Sequence, residues 1–226
     1  MKTKLLSPYD WFLIVGIIAV NLVYNILSED VDVLGSVAGI AGVLCVVLVA
    51  NGNIWNYLFG LVNVSLYAWI AYKDSYYGDA ALNALYYLPM QFVGYFAWKK
   101  REGERSVKAR RLSLRWRYIV LAGCILLTIG TGFLLQALGD GQPFKDAATT
   151  VLSIVAQALM AMAFMEQWVL WILTNIISVA MWSKSMLLGE PHAEMMAIMW
   201  VFYLMNSING LRVWMRLSRE VEIKQE

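Results

Sequence analysis

Runs of about twenty mostly apolar residues, bounded by charge, Gly or Pro, recur eight times along this chain, and that length is what an α-helix needs to cross a bilayer. They cover approximately Trp11–Leu27, Val33–Ala50, Ile54–Tyr72, Ala80–Trp98, Tyr118–Leu138, Ala147–Met165, Trp168–Leu187 and Ala193–Trp214. The connections are short, Asn51-Gly52-Asn53 and Glu166-Gln167 being the tightest. Backbone at bilayer depth must satisfy its own hydrogen bonds, so helices are the regular structure these runs can form. Composition agrees: 60% of residues are hydrophobic and 15% charged, against about 25% charged in a soluble domain. The expected fold class is an all-α integral membrane protein with eight transmembrane helices.

The same composition removes most chemistry. Cys45 and Cys124 sit inside apolar runs, and the single histidine, His192, lies between Pro191 and Ala193. No disulfide framework, thiolate zinc site or Ser/His/Asp triad can be assembled from them, so no catalytic residue, metal or cofactor is expected. Lys2 and Lys4 ahead of the first run suggest a signal peptide, but Leu27-Ser28-Glu29-Asp30 lacks the small-x-small cleavage pattern. The run reads as a retained helix.

Short loops rich in Lys and Arg stay in the cytoplasm. Lys2 and Lys4, nine cations from Lys99 to Arg117, and Arg212, Arg216, Arg219 and Lys224 place 15 on one side; Lys73, Lys145 and Lys184 leave three on the other. Both termini are therefore expected in the cytoplasm. The basic loop reads as a topogenic, lipid-facing segment and not as a nucleic-acid patch, so no nucleic-acid partner is expected.

An internal repeat is visible. Tyr87-Leu-Pro-Met-Gln91-Phe-Val-Gly94-Tyr-Phe-Ala-Trp98 matches Tyr203-Leu-Met-Asn206-Ser207-Ile-Asn209-Gly210-Leu-Arg-Val-Trp214 in its Tyr, Leu, Gly and Trp, and the stretch Asn56 to Asn63 aligns with Trp168 to Asn175 on the shared asparagine. Corresponding runs are four spans apart, an even number, so the halves point the same way across the membrane. The chain divides into an extra N-terminal helix (1–30), a three-helix repeat (31–99), a basic loop with a linker helix (100–145), and a second three-helix repeat with a cytoplasmic tail (146–226).

Polar residues inside spans are costly and usually face the bundle. Asn56, Asn63 and Tyr67 share one face of the third span, and Asn83, Tyr87, Gln91, Gly94 and Trp98 stripe the fourth. Trp168, Trp171, Asn175, Ser178 and Trp182 stripe the seventh, and Tyr203, Asn206, Asn209 and Gly210 the eighth. For any one of them the competing role is interhelical packing worth roughly 1 kcal/mol. Trp98, Trp116 and Trp214 lie beside basic residues and read as an interfacial belt; Trp168 stays open between belt and lining. Trp171 and Trp182 lie too far inside the span for a belt. The candidate binding residues are Asn63, Tyr67, Gln91, Trp171, Asn175, Trp182, Tyr203, Asn206 and Asn209. Apart from Lys184, Glu194 and Arg212, each within a turn of a span end, the spans hold no Asp, Glu, Lys, Arg or His. Such a neutral, amide- and ring-lined site suits a small ligand that is uncharged or cationic, aromatic, and rich in hydrogen-bonding groups.

The element Glu166-Gln-Trp168-Val-Leu-Trp171-Ile-Leu-Thr-Asn175, with Trp182 downstream and the Tyr87/Gln91 and Tyr203/Asn206 stripes, resembles the PnuC nicotinamide riboside transporters of bacteria over about residues 33 to 217. That family is similar in architecture to the SWEET facilitators, three helices plus one plus three. The resemblance implies facilitated diffusion of nicotinamide riboside, an NAD precursor, across the inner membrane, with trapping by a cytosolic kinase. It also implies a homo-oligomer, a trimer. Two alternatives stay open: a facilitator for another vitamin such as thiamine, and a vitamin-binding membrane module that needs an energising partner. An intramembrane enzyme would require a catalytic carboxylate, His or Ser dyad at depth, which the spans lack.

Overall fold

The computed structural model describes residues 6–27, 33–73, 77–101, 106–139, 142–188 and 193–223. Eight helical segments account for nearly all of them: α1 (Pro8–Leu27), α2 (Val33–Ala50), α3 (Asn56–Lys73), α4 (77–99), α5 (Leu114–Ala137), α6 (Pro143–Ala161), α7 (Gln167–Leu187) and α8 (Ala193–Ile223). α1 starts earlier than its apolar run because Ser7 and Asp10 form a reciprocal cap: the Ser7 N–H donates to Asp10 Oδ2 at 2.8 Å, and the Asp10 N–H to Ser7 Oγ at 3.2 Å. α4 is continuous but uneven, with a π-helical turn at Asn83–Tyr87 in which the Leu88 N–H reaches Asn83 O. Pro89 follows immediately. It has no N–H to donate and its ring crowds the carbonyl four residues back, and the widened turn accommodates that clash.

The bundle is inside-out in the sense a bilayer requires. Along α7 the exposed positions include Val169, Leu173 and Ile176, while Thr174, Asn175 and Ser178 are buried. On α3, Leu58, Val62 and Trp69 face outward and Asn56 is buried. α2 and α5 are long and apolar enough to cross a membrane by length and hydropathy alone. The others carry inward polar stripes.

The repeat is real in three dimensions. α2 packs on α3 as α6 packs on α7, and the cross-contacts α2 on α8 and α6 on α4 repeat the same relation. The turns that end α2 and α6 are built alike: Gly52 N–H to Val49 O and Asn53 N–H to Leu48 O in one, Ala163 N–H to Met160 O and Phe164 N–H to Leu159 O in the other. Gly52 has φ 64° and Ala163 φ 60°. The second turn thus adopts the left-handed backbone without glycine. It also stops α6 at Ala161, four residues before the end of the apolar run.

These turns fix the register at 111 residues, not the 112 obtained by matching Asn63 to Asn175. Tyr57 is equivalent to Trp168, and Asn63 to Thr174. Tyr57 presses on Gly94 and Trp168 on Gly210, where a Cβ would collide with the ring in both cases. The alignment on a shared residue type was displaced by one because helix register follows the turn that starts the helix. α1 lies outside the repeats, its buried Leu13, Ile14 and Ile17 packing with Val43 and Val47 of α2 and with Phe202 of α8.

Candidate functional site

Where the two repeats meet, α2 is thin. Asn63 from α3 and the Tyr203 hydroxyl from α8 converge on Gly42, reaching 2.8 and 3.5 Å from where a Cβ would stand. The Asn63 side chain donates to Ala38 O at 2.9 Å. One turn on, the Cys45 thiol and the Gln91 carboxamide both abut Gly60. Asn206 is buried against the same helix, donating to Val46 O at 3.1 Å. Side chains of α3, α4 and α8 thereby gather along one face of α2. Asn175, buried on α7, donates to Ser207 Oγ at 3.2 Å and joins the second repeat to this group through the neighbour of Asn206. Trp171 packs at the border of two apolar clusters, one around Trp168 and Trp214 and one around Leu159 and Leu170.

The polar atoms divide by role. Gln91 donates its amide N–H to Tyr87 O at 3.1 Å. Gln91 Oε1 and Asn206 Oδ1 are buried with no partner. Each amide therefore spends one of its two N–H donors on a backbone carbonyl and holds its acceptor in reserve. An unpaired buried acceptor costs about 1–3 kcal/mol, so a donor-bearing ligand gains by meeting it.

Of the nine residues proposed from sequence, Asn63, Gln91, Tyr203 and Asn206 gather around α2 and Asn175 joins them through Ser207. Trp182 and Asn209 are half-buried on α7 and α8, and Tyr67 is 44% exposed on α3. A groove of about 520 Å³ opens between α3 and α4 among Leu58, Leu61, Phe92 and Phe96; it contains Gln91 and none of the other eight.

Two expectations are corrected. Trp98 and Trp214 are not an interfacial belt: they are 1% and 0% exposed, and their indole N–H groups donate to Met160 O at 2.8 Å and Val49 O at 2.9 Å. Trp168 is likewise buried, whereas Trp116 is exposed as a belt residue would be. Nor is the basic loop merely lipid-facing. Val107 and Ala109 are buried in the aromatic core. The Glu166 carboxylate accepts from Arg117 Nε at 3.0 Å and from the Leu112 N–H at 3.1 Å, and Arg111 donates to Ser218 Oγ at 2.8 Å. Burial, and secondly the nearby Arg110 guanidinium, lower the pKa of Arg101 at the start of the loop. Sequence reasoning also missed Ser207 and Tyr57. Gly94 on the facing helix was the available signal for Tyr57, since a small residue inside a span lets a neighbouring helix pack closely.

Residues 32–216 match the profile of a family described as the nicotinamide mononucleotide transporter. A nicotinamide riboside transporter PnuC of Neisseria mucosa is 41% identical over 216 residues, covering 92% of this chain and 81% of the relative. That of Haemophilus influenzae is 35% identical over 194 residues, 82% of this chain and 80% of the relative. That of Escherichia coli is 29% identical over 238 residues, 93% and 96% respectively. A crystal structure of the vitamin B3 transporter PnuC superposes with a TM-score of 0.76 at 35% identity, covering 95% of this chain and 93% of the other.

Proposed function

The chain belongs to the nicotinamide mononucleotide transporter family, and from that premise we propose that it carries nicotinamide riboside across a bacterial cytoplasmic membrane. The observation that supports the riboside is the pair of spare acceptors. Gln91 Oε1 and Asn206 Oδ1 are buried without partners, and the nucleoside brings carboxamide N–H and ribose O–H groups to meet them. Trp171 and Trp182 offer ring faces to the cationic pyridinium, while Asn63, Asn175, Tyr203 and Asn209 supply further polar edges and Tyr67 flanks them. The mononucleotide named in the family description suits the site less well. It adds a phosphate, and no Lys or Arg lies more than a turn inside the spans to offset its desolvation.

On this reading residues 31–99 and 146–226 are the two duplicated units, and 1–30 and 100–145 supply the extra and linking helices. The basic end of the bundle faces the cytosol, with both termini. Movement is downhill, and a cytosolic kinase converts it into net uptake by trapping the product. The protein is a homo-oligomer, a trimer, for which the lipid-exposed Ile125, Ile129 and Phe133 of α5 offer an apolar face. Uptake of radiolabelled nicotinamide riboside by purified protein in liposomes tests the proposal. Transport without any second protein is expected, with the mononucleotide and thiamine failing to compete. Preferential thiamine uptake would replace the substrate, and binding without transport would make the chain a module dependent on an energising partner.

A further inference from the structure

Four aromatic rings form a row across the middle of the bundle at its basic end. Tyr57 meets Trp98 with centroids 5.1 Å apart, Trp98 meets Trp214 at 5.5 Å, and Trp214 meets Trp168 at 6.3 Å. All four are buried. The row is symmetric, since Tyr57 and Trp168 are equivalent, as are Trp98 and Trp214. Its outer contacts lie within one repeat each; the central one joins the two. The bonds from Trp98 to Met160 and from Trp214 to Val49 also run between repeats.

Polar side chains of the site group stand at a constant height above this row. Gln91 precedes Trp98 by seven residues, Ser207 precedes Trp214 by seven, and Asn175 follows Trp168 by seven. At 1.5 Å per residue each lies about 10 Å deeper in the bundle. Rings packed at these separations leave no passage for a nucleoside.

Beneath the rings, on the loop side, runs segment 106–113. The Val107 N–H donates to Gly52 O at 2.9 Å in the first repeat, while the Arg110 N–H donates to Ala163 O at 2.8 Å and its carbonyl accepts from Met165 N–H at 2.9 Å in the second. Glu166 then fixes Leu112 and Arg117, and Arg111 fixes Ser218. The segment therefore ties both repeat turns together directly under the rings.

We propose that Tyr57, Trp98, Trp214 and Trp168 are the gate through which substrate leaves for the cytosol, that it parts at the Trp98–Trp214 contact, and that segment 106–113, anchored by Glu166, is the latch holding it shut. The assignment of the exit side rests on the orientation given under the proposed function.

Cys45 reports on the gate, because its thiol abuts Gly60 beside Gln91, on the interior side of the rings. In a Cys124→Ala background, labelling of Cys45 by a membrane-impermeant thiol reagent is measured separately in inside-out and right-side-out vesicles. Glu166→Gln removes the latch charge and Val107→Ala its buried plug; neither residue belongs to the binding group. Both variants should label about tenfold faster from the cytosolic face, which for Glu166→Gln is the scale of losing a charge-assisted hydrogen bond. Calorimetry with nicotinamide riboside runs in parallel. Faster labelling with no riboside binding would support the gate and overturn the substrate. Unchanged labelling in both variants, with melting temperatures near the parent's, would overturn the gate. So would acceleration confined to the opposite face.

Discussion

Trp98 and Trp214 face one another across the pseudo-twofold axis, 5.5 Å between ring centroids, and each anchors its indole N–H on the helix end of the opposite repeat. Equivalent positions thus carry equivalent bonds, and the two repeats are clasped by a reciprocal pair. The clasp is buried, so a lost ring leaves a cavity, and the carbonyl it bonded keeps only the N–H of its own turn.

Trp98→Ala and Trp214→Ala should each destabilise the protein by about 3–5 kcal/mol, the usual range for emptying a buried Trp site. Trp98→Phe and Trp214→Phe, which keep most of the ring and lose the N–H, should fall between these and the parent. Thermal unfolding in detergent followed by tryptophan fluorescence is the measurement. Alanine variants that melt with the parent would show that the clasp is not a stability element.

Much of this was legible because span length and the placement of charge are one-dimensional signals. The run Val33–Ala50 coincides with its helix, and the Tyr87/Tyr203 match survives in space. What failed were contacts across the sequence. Trp98 and Trp214 sit beside Lys99 and Arg212, which looks like an interface, yet each rotates inward because its helical face also carries Gln91 and Gly94, or Ser207 and Gly210. The latch was invisible for the same reason: Glu166 lies 54 and 49 residues from Leu112 and Arg117 and adjoins them only once α5 folds back on α6. The candidate binding residues were recoverable as stripes, but which stripe members meet at α2 depends on the bareness of Gly42 and Gly60.

Binding should be sensitive to single amides and rings. Gln91→Ala, Asn175→Ala and Trp182→Ala should each weaken nicotinamide riboside affinity roughly 5- to 150-fold, from 1–2 kcal/mol for a stacking ring and 1–3 for a stranded polar partner. Titration calorimetry on variants with parent-like gel-filtration profiles checks this. Near-parent affinity in all three would move the site away from these stripes.

Glycine substitutions should separate site from scaffold. A methyl at Gly60 meets the far end of the Gln91 carboxamide and one at Gly94 meets the Tyr57 ring. Gly60→Ala should therefore lower affinity by displacing Gln91 with little loss of stability. Gly94→Ala has no flexible neighbour to move and should destabilise by about 1–3 kcal/mol through overpacking. Paired calorimetry and thermal melts would expose the reverse ordering if the roles were misassigned.

Orientation follows from the fifteen-to-three distribution of Lys and Arg. A reporter that fluoresces only in the cytosol should light up when fused after Glu226, and a tag inserted at Asp140-Gly141 should be reachable from outside intact cells. A dark C-terminal fusion in well-expressed protein would invert the topology.

Energetics should follow from what the spans lack. Without Asp, Glu or His more than a turn inside the spans, no side chain at depth can carry a proton or hold sodium by charge, so transport should run downhill in both directions and ignore imposed gradients. The same neutrality discriminates between substrates. A 5′-phosphate adds about −1.5 to −2 charges to the nucleoside, and amides such as Gln91 and Asn206, each with one of its two N–H groups already given to Tyr87 O or Val46 O, carry no charge to meet it. Neutral amides cannot supply the countercharge that would offset the phosphate's desolvation. The mononucleotide should therefore neither bind nor exchange, and phosphorylation on the cytosolic side would make each import event irreversible. Counterflow in proteoliposomes tests both statements at once. Labelled nicotinamide riboside should exchange against the unlabelled nucleoside and not against its 5′-phosphate, and accumulation above equilibrium driven by a proton or sodium gradient would overturn the downhill mechanism.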